Sequence, residues 1–263
     1  MLPANAQPTM QRETDLPAAA DTPKADAAAA PLSVVVAHGS PSDPDPLDLT
    51  LRALAGDIAV RMSDRRRIVR GATLAKTGSL EAALSAPPGQ LIRIYPFFMS
   101  DGFFVRRELR RRVAEATCNP VEYSAPFGLD PLLPALCVKR ACEAIERSGC
   151  AARDSVLVLA AHGSRSNPAS AEATRLVERR IREMGVFAEV RSGFVEEAPS
   201  IADAASGLGS RPAVCLPLFA TSGGHVEGDI PEELDRAGFT GKLLQPIGED
   251  AEIPALIAAT LGA

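Results

Sequence analysis

The sequence predicts two fused α/β sandwiches, each a three-layer lobe in which helices cover both faces of a mostly parallel, four-stranded sheet. Three observations predict this. The chain repeats itself, strands and helices alternate along each repeat at the spacing of β–α–β units, and runs such as Val156–Ala161 are apolar throughout. A parallel strand buried on both faces needs that unbroken apolar character, and a sheet of such strands needs helices on each side.

The repeat rests on three anchors. VVVAHGSPSDPDP (34–46) answers LVLAAHGSRSNPA (157–169), which sets His38 against His162. IYPFFMSDGFFV (94–105) answers CLPLFATSGGHV (215–226), with Pro96 against Pro217. APFGLDPLLPAL (125–136) answers QPIGEDAEIPAL (245–256), with Gly128 against Gly248. The order is kept and the offsets drift slowly, from 124 to 121 to 120 residues. Duplication and fusion of one unit is the economical account, and it divides the chain into a tail (1–31), an N-terminal lobe (32–149) and a C-terminal lobe (150–263).

The second unit shows the elements in order. Val156–Ala161 is its first strand. Asn167 suits a helix N-cap and Pro168 the first helical position, and Gly185 ends that helix. A second strand is expected over Val186–Gly193, a short helix over Ile201–Leu208 and a third strand over Ala213–Phe219. Asp229-Ile-Pro-Glu has the form of a capped helix start, with Glu232 three residues past Asp229. Lys242–Pro246 makes a weak fourth strand before a C-terminal helix.

Composition bounds the function. Of 263 residues 46% are hydrophobic and 23% charged, so most of the chain has enough apolar surface to fold. No apolar run approaches the ~18 residues of a membrane span, so no membrane partner is expected. The net charge of −5 argues against a dedicated nucleic-acid binder, which needs a basic surface. The five cysteines form no CxxC pair, which points to free thiols in a reducing, cytoplasmic setting, with no iron–sulfur cluster and no thiolate zinc site. Residues 1–31 are rich in Ala and Pro, lack a secretory pattern and read as a disordered extension.

The chemistry concentrates in the anchors. All three histidines of the chain, His38, His162 and His225, lie in them. His162 follows the first strand of its unit, Glu196 and Glu197 follow the second, and His225 follows the third in SGGHV, where Gly223 and Gly224 permit close backbone approach. Residues just past the C-terminal ends of parallel strands line one crevice. His162, His225 and Glu196 are therefore expected to converge, as ligands of a borderline divalent metal or as proton acceptors.

A strand leading into HGS, a strand leading into GFVE and the block PLFATSGGHVEGDIPEEL together resemble the CbiX-type sirohydrochlorin chelatases, within the class II chelatases that include protoporphyrin ferrochelatase. The resemblance runs from about residue 32 to the end and is strongest over 156–235. It implies insertion of Co2+ or Fe2+, as substrate, into a tetrapyrrole without ATP or any other nucleotide, in cobalamin or sirohaem synthesis. By motif position, His162 and His225 match the family's two active-site histidines and Glu196 its acidic partner. Long members of the family carry that set in the first half; here it stands in the second.

The first half keeps His38 but has Phe104 opposite His225 and Leu74 near the place of Glu196, so one metal centre is expected, in the second lobe. His38 is left as a relic, a packing residue or a distal contact. The lobes also differ in charge, +3 over 32–152 and −6 over 153–263. The acidic lobe suits a cation, and the basic one could keep a binding role. Arg106 and Arg107, after the strand-end loop, are expected near ring carboxylates, whereas Arg110–Arg112 read as a solvated helix face. Phe103 and Phe104 are expected against the macrocycle, and Phe97, Phe98 and Phe219 in the core. Ser164 and the Gly163 amide either meet a ring carboxylate or shape a tight turn, and Gly224 lets the substrate approach the backbone. A monomer with pseudo-two-fold lobes is the expected assembly.

Two rival functions compete with this reading. A histidine phosphatase would carry Arg before its HG pair, where Ala37 and Ala161 stand, and no GxSxG elbow or glycine-rich phosphate loop follows a first strand. A non-catalytic metal or tetrapyrrole carrier would use the same three side chains and stays open.

Overall fold

A computed structural model describes residues 30–262. The expected disorder of the tail concerns residues that lie almost wholly outside this range. The first lobe runs β1 (Leu32–Ala37), α1 (Asp45–Arg61), β2 (Ile68–Thr73), α2 (Ser79–Leu84), β3 (Ile92–Pro96), a π-helical turn (Phe104–Leu109) continuing into α3 (Arg110–Ala116), β4 (Val121–Tyr123) and α4 (Leu133–Arg147). The second repeats it as β5 (Val156–Ala161), α5 (Ala169–Glu183), β6 (Glu189–Phe194), α6 (Ile201–Ala205), β7 (Ala213–Pro217), a π-helical turn (His225–Asp229) continuing into α7 (Ile230–Arg236), β8 (Lys242–Leu243) and α8 (Ile253–Gly262). The sheets have the orders β2-β1-β3-β4 and β6-β5-β7-β8, parallel throughout. This is the predicted duplicated α/β architecture.

Alternation along the strands sorts side chains into three cores. Val34, Val36, Ile92 and Ile94 face outward onto α2 and α3, and Val156, Val158, Ala160 and Cys215 face outward onto α6 and α7. Val35 and Tyr95 of one sheet and Leu157, Leu159, Val214 and Leu216 of the other face inward, into one shared core with α1, α4, α5 and α8. The two lobes are thus joined by a continuous apolar layer, the strongest non-directional contribution available to such a fold. Among the described residues no helix is long and apolar enough to cross a membrane.

Polar ties fix the lobes in register. The Tyr95 hydroxyl and the Thr260 hydroxyl both donate to Asp130 Oδ2 at 2.8 Å. Burial and then the Asp130 charge push the Tyr95 phenol far above its usual range, so it remains a donor. Arg140 pairs with Asp250 and, at 3.0 Å, with Glu252 across the same boundary. At the C-terminal ends of the strands the lobes meet again: a Cβ on Gly102 would stand 3.6 Å from Asn167 Nδ2.

Local readings shifted where tertiary contacts decide. Pro168, rather than Asn167, is the residue before the first turn of α5, yet Asn167 Oδ1 still accepts the Ala169 N–H at 3.0 Å. The Asp229 cap is overturned. Asp229 has helical dihedrals (φ −61°, ψ −42°) because the helix already began at His225, so its carboxylate is free for another partner.

Candidate functional site

β5 ends at Ala161, and the chain turns sharply through His162, Gly163 and Ser164. Gly163 sits at φ +71°, with Glu197 and Phe194 against it: a Cβ there would lie 3.0 Å from Glu197 Oε1. Only glycine meets both demands. The neighbouring acid then ties the turn down, since Glu197 Oε1 accepts the Ser164 N–H at 2.8 Å. Ser164 Oγ accepts the Asn167 N–H at 3.2 Å, a bond that fits the turn-shaping one of the two roles open to it.

His162 is solvent-exposed, and its Nδ1 stands 2.8 Å from the Gly163 carbonyl oxygen. A carbonyl only accepts, so Nδ1 carries the hydrogen and the neutral ring keeps its lone pair on Nε2. His225 opens the π-helical turn after Gly223 and Gly224, both exposed. Its Nδ1 stands 2.5 Å from Asp229 Oδ2, again an acceptor, so its lone pair also lies on Nε2. The two rings meet edge to face, with centroids 4.6 Å apart and planes at 86°. π-helical turns of this kind recur at functional sites because the widened backbone redirects side chains.

Glu196 is held next to this pair through its backbone. Its N–H donates to the His162 carbonyl at 2.9 Å, and its own carbonyl accepts from Arg165 Nε at 3.0 Å. It lines a groove of about 690 Å³ with Ser164, Glu197, Ser200 and Asp203. Among the described residues no group of three His, Cys, Asp or Glu stands ready as a metal cage. The structure brings the two imidazoles together, and the carboxylate bonded to His225 is Asp229 rather than Glu196. Sequence reasoning missed Asp229, although the signal was present: residues four apart on a helix share a face.

The first lobe preserves the frame but not the second imidazole. His38 Nδ1 stands 2.8 Å from the Gly39 carbonyl, and the Phe104 ring meets His38 edge to face at 4.2 Å. The Ala75 N–H donates to the His38 carbonyl at 2.8 Å, as Glu196 does to His162, and Leu74 pairs with Ala37 as Val195 pairs with Ala161. Backbone register thus sets Ala75, not Leu74, in the place of Glu196, and Lys76 in the place of Glu197. Lys76 pairs with Asp45 at 2.8 Å. Glu108, four residues after Phe104, takes Arg111 at 2.9 Å, and that hydrogen bond holds its carboxyl below the usual range.

Phe103 and Phe104 are 56% and 44% exposed beside His38, an unusual surface for two adjacent aromatics. Phe97 is buried against Phe127, and Phe98 and Phe219 pack on the outer cores, as expected. Arg106 pairs with Asp101 at 2.9 Å while two-thirds exposed, a weak tie, and Arg107 is exposed with no ion pair recorded among the described residues. Arg110 covers the Tyr123 ring, Arg111 pairs with Glu108 and Glu115, and Arg112 donates to the Leu74 carbonyl.

Comparison with known proteins gives concordant relatives. The CbiX family model matches the chain twice, over residues 32–144 and 156–262. A probable sirohydrochlorin cobaltochelatase of Halobacterium salinarum is 26% identical over 223 residues, covering 76% of this chain and 75% of that protein. A solved CbiX, described as the terminal enzyme for biosynthesis of siroheme in denitrifying bacteria, is 42% identical with a TM-score of 0.77, over 87% of this chain and 97% of that one. SirB from Bacillus subtilis, solved with Fe3+, has a TM-score of 0.70 over 88% of this chain and 94% of its own, at 16% identity, a likeness of fold alone.

Proposed function

This chain belongs to the CbiX family, and on that footing we propose that it is a chelatase that inserts a divalent metal, Fe2+ or Co2+, into sirohydrochlorin. The observation that carries the reading is the His162–His225 pair, 4.6 Å between rings, with Nδ1 occupied on each. Two adjacent imidazoles, each with Nδ1 occupied and the Nε2 lone pair free, suit a borderline divalent ion, and equally suit a proton leaving a pyrrole nitrogen. The reaction exchanges M2+ for the two ring N–H protons, which leave as two H+, with no change of oxidation state. Glu196, on the groove beside His162, is assigned the outward passage of those protons. The likeness to the siroheme enzyme supports Fe2+, and the Halobacterium relative supports Co2+.

The other lobe takes the ring in this reading. Phe103 and Phe104 offer an apolar face, and Arg106 and Arg107 stand two and three residues further on to meet ring carboxylates. Ser164 and Gly224 are assigned the contacts on the metal side. We assign the reaction to sirohaem or cobalamin synthesis in the cytoplasm, a reading that membership of the family supports.

The test is an absorbance assay. Purified protein is incubated with sirohydrochlorin and either Fe2+ (anaerobically) or Co2+, and the ring spectrum is followed. Insertion well above the spontaneous rate, lost in His225→Ala, is the expected result. Binding of metal and ring without acceleration would make the protein a carrier.

A further inference from the structure

We propose that Asp229 is a positioning residue for this reaction: its carboxylate holds His225 as the Nδ1–H tautomer and so presents Nε2 to the incoming ion. The inference rests on the chelatase reading and extends it to a residue outside the three side chains assigned above. Asp229 stands within the helical run, four residues after His225, with helical dihedrals and no capping bond. Its Oδ2 lies 2.5 Å from His225 Nδ1. A free neutral imidazole exchanges between two tautomers, and in the wrong one Nε2 carries hydrogen and can neither bind a cation nor accept a proton. A carboxylate behind the ring removes that choice and fixes the ring plane. His162 has the same constraint from a backbone carbonyl, so only His225 depends on a side chain for it.

The first lobe supplies the comparison. Phe104 has no ring nitrogen to orient, and the acid four residues later, Glu108, is turned onto Arg111 at 2.9 Å. Where the imidazole is absent, the acid has taken a guanidinium as partner. Where it is present, the acid is on the ring.

The test uses the full chain, labelled with 15N, and reads the His225 ring by long-range proton–nitrogen correlation, with His225→Gln for assignment. Wild type is expected as the Nδ1–H tautomer. Asp229→Ala should move His225 toward Nε2–H and raise the metal KM by roughly 10–100-fold, with little change in the tetrapyrrole KM. Asp229→Asn, whose amide oxygen accepts the same bond, should restore both. An Asp229→Ala protein that keeps the Nδ1–H tautomer and the metal KM would overturn the inference, as would an Asn variant no better than Ala. If wild type inserts no metal, the chelatase reading fails, whereas the tautomer measurement still decides what Asp229 does to the ring.

Discussion

His38 meets the Phe104 ring edge to face, with centroids 4.2 Å apart and planes at 78°. Its counterpart in the other lobe meets a second imidazole in the same manner at 4.6 Å and 86°. Duplication has therefore preserved a ring-on-ring frame in both lobes, and a single side chain separates a pair of imidazoles from a histidine covered by an aromatic.

Phe104→His should accordingly give the first lobe a cation site of its own. Equilibrium dialysis against Co2+ should show a second bound ion per chain, weaker than the first because Ala75 and Lys76 replace the acids of the other lobe. Unchanged stoichiometry would mean that the His38 frame no longer admits a metal.

Arg106→Ala with Arg107→Ala separates the two substrates. The pair lies on the basic lobe and not on the one that carries His162 and His225, so KM for the tetrapyrrole should rise about tenfold, the loss of one charge-assisted contact or so. KM for the metal should stay level. Equal effects on both would reject an anchoring role.

Gly248→Ala tests the support beneath His225. A Cβ at this position would stand 2.2 Å from the Ala220 carbonyl oxygen, and the Gly248 N–H donates to the Phe219 carbonyl at 3.0 Å. The segment from Ala220 to Ser222 must move to make room, and it leads directly to His225. A loss of about 1–3 kcal/mol in stability is expected from chemical denaturation, together with a raised metal KM. Full stability in the variant would show that the segment yields freely.

Acid sensitivity should reside partly in Asp48. This buried carboxylate opposes its own burial, which alone would raise its pKa, with the Ser79 hydroxyl, Arg52, the Thr73 N–H and Lys76, and the balance holds it below the usual range. Its folded pKa is depressed, so its contribution is complete above about 4 and is lost as pH falls through and below that value. Asp48→Asn should cost about 2 kcal/mol at pH 7 in urea titrations, and the deficit relative to wild type should shrink toward pH 3. A deficit independent of pH would contradict this.

The parts of the fold readable from sequence are those fixed by burial on two faces. Val156–Ala161 is legible because every residue in it is buried and apolar. The neighbouring strand, expected at Val186–Gly193, occupies Glu189–Phe194: β6 is an edge strand, and its register is set by pairing with β5, from Val156–Glu189 to Ala161–Phe194, which no local pattern encodes. The site divides the same way. Strand ends brought His162 and His225 into one place, since topology alone does that. The partner of Asp229 depends on helix phase, and Glu196 lies in the irregular loop after β6, which no periodicity describes. Asp followed at two residues by Pro imitates a helix start, while the helix had in fact begun at His225.

The most direct test is X-ray absorption at the cobalt edge on the Co2+-loaded protein. Two imidazole shells in wild type, falling to one in His162→Ala and to one in His225→Ala, is the result predicted by a metal held between these rings. A wild-type spectrum without imidazole scattering, or one unaltered by either substitution, would contradict it.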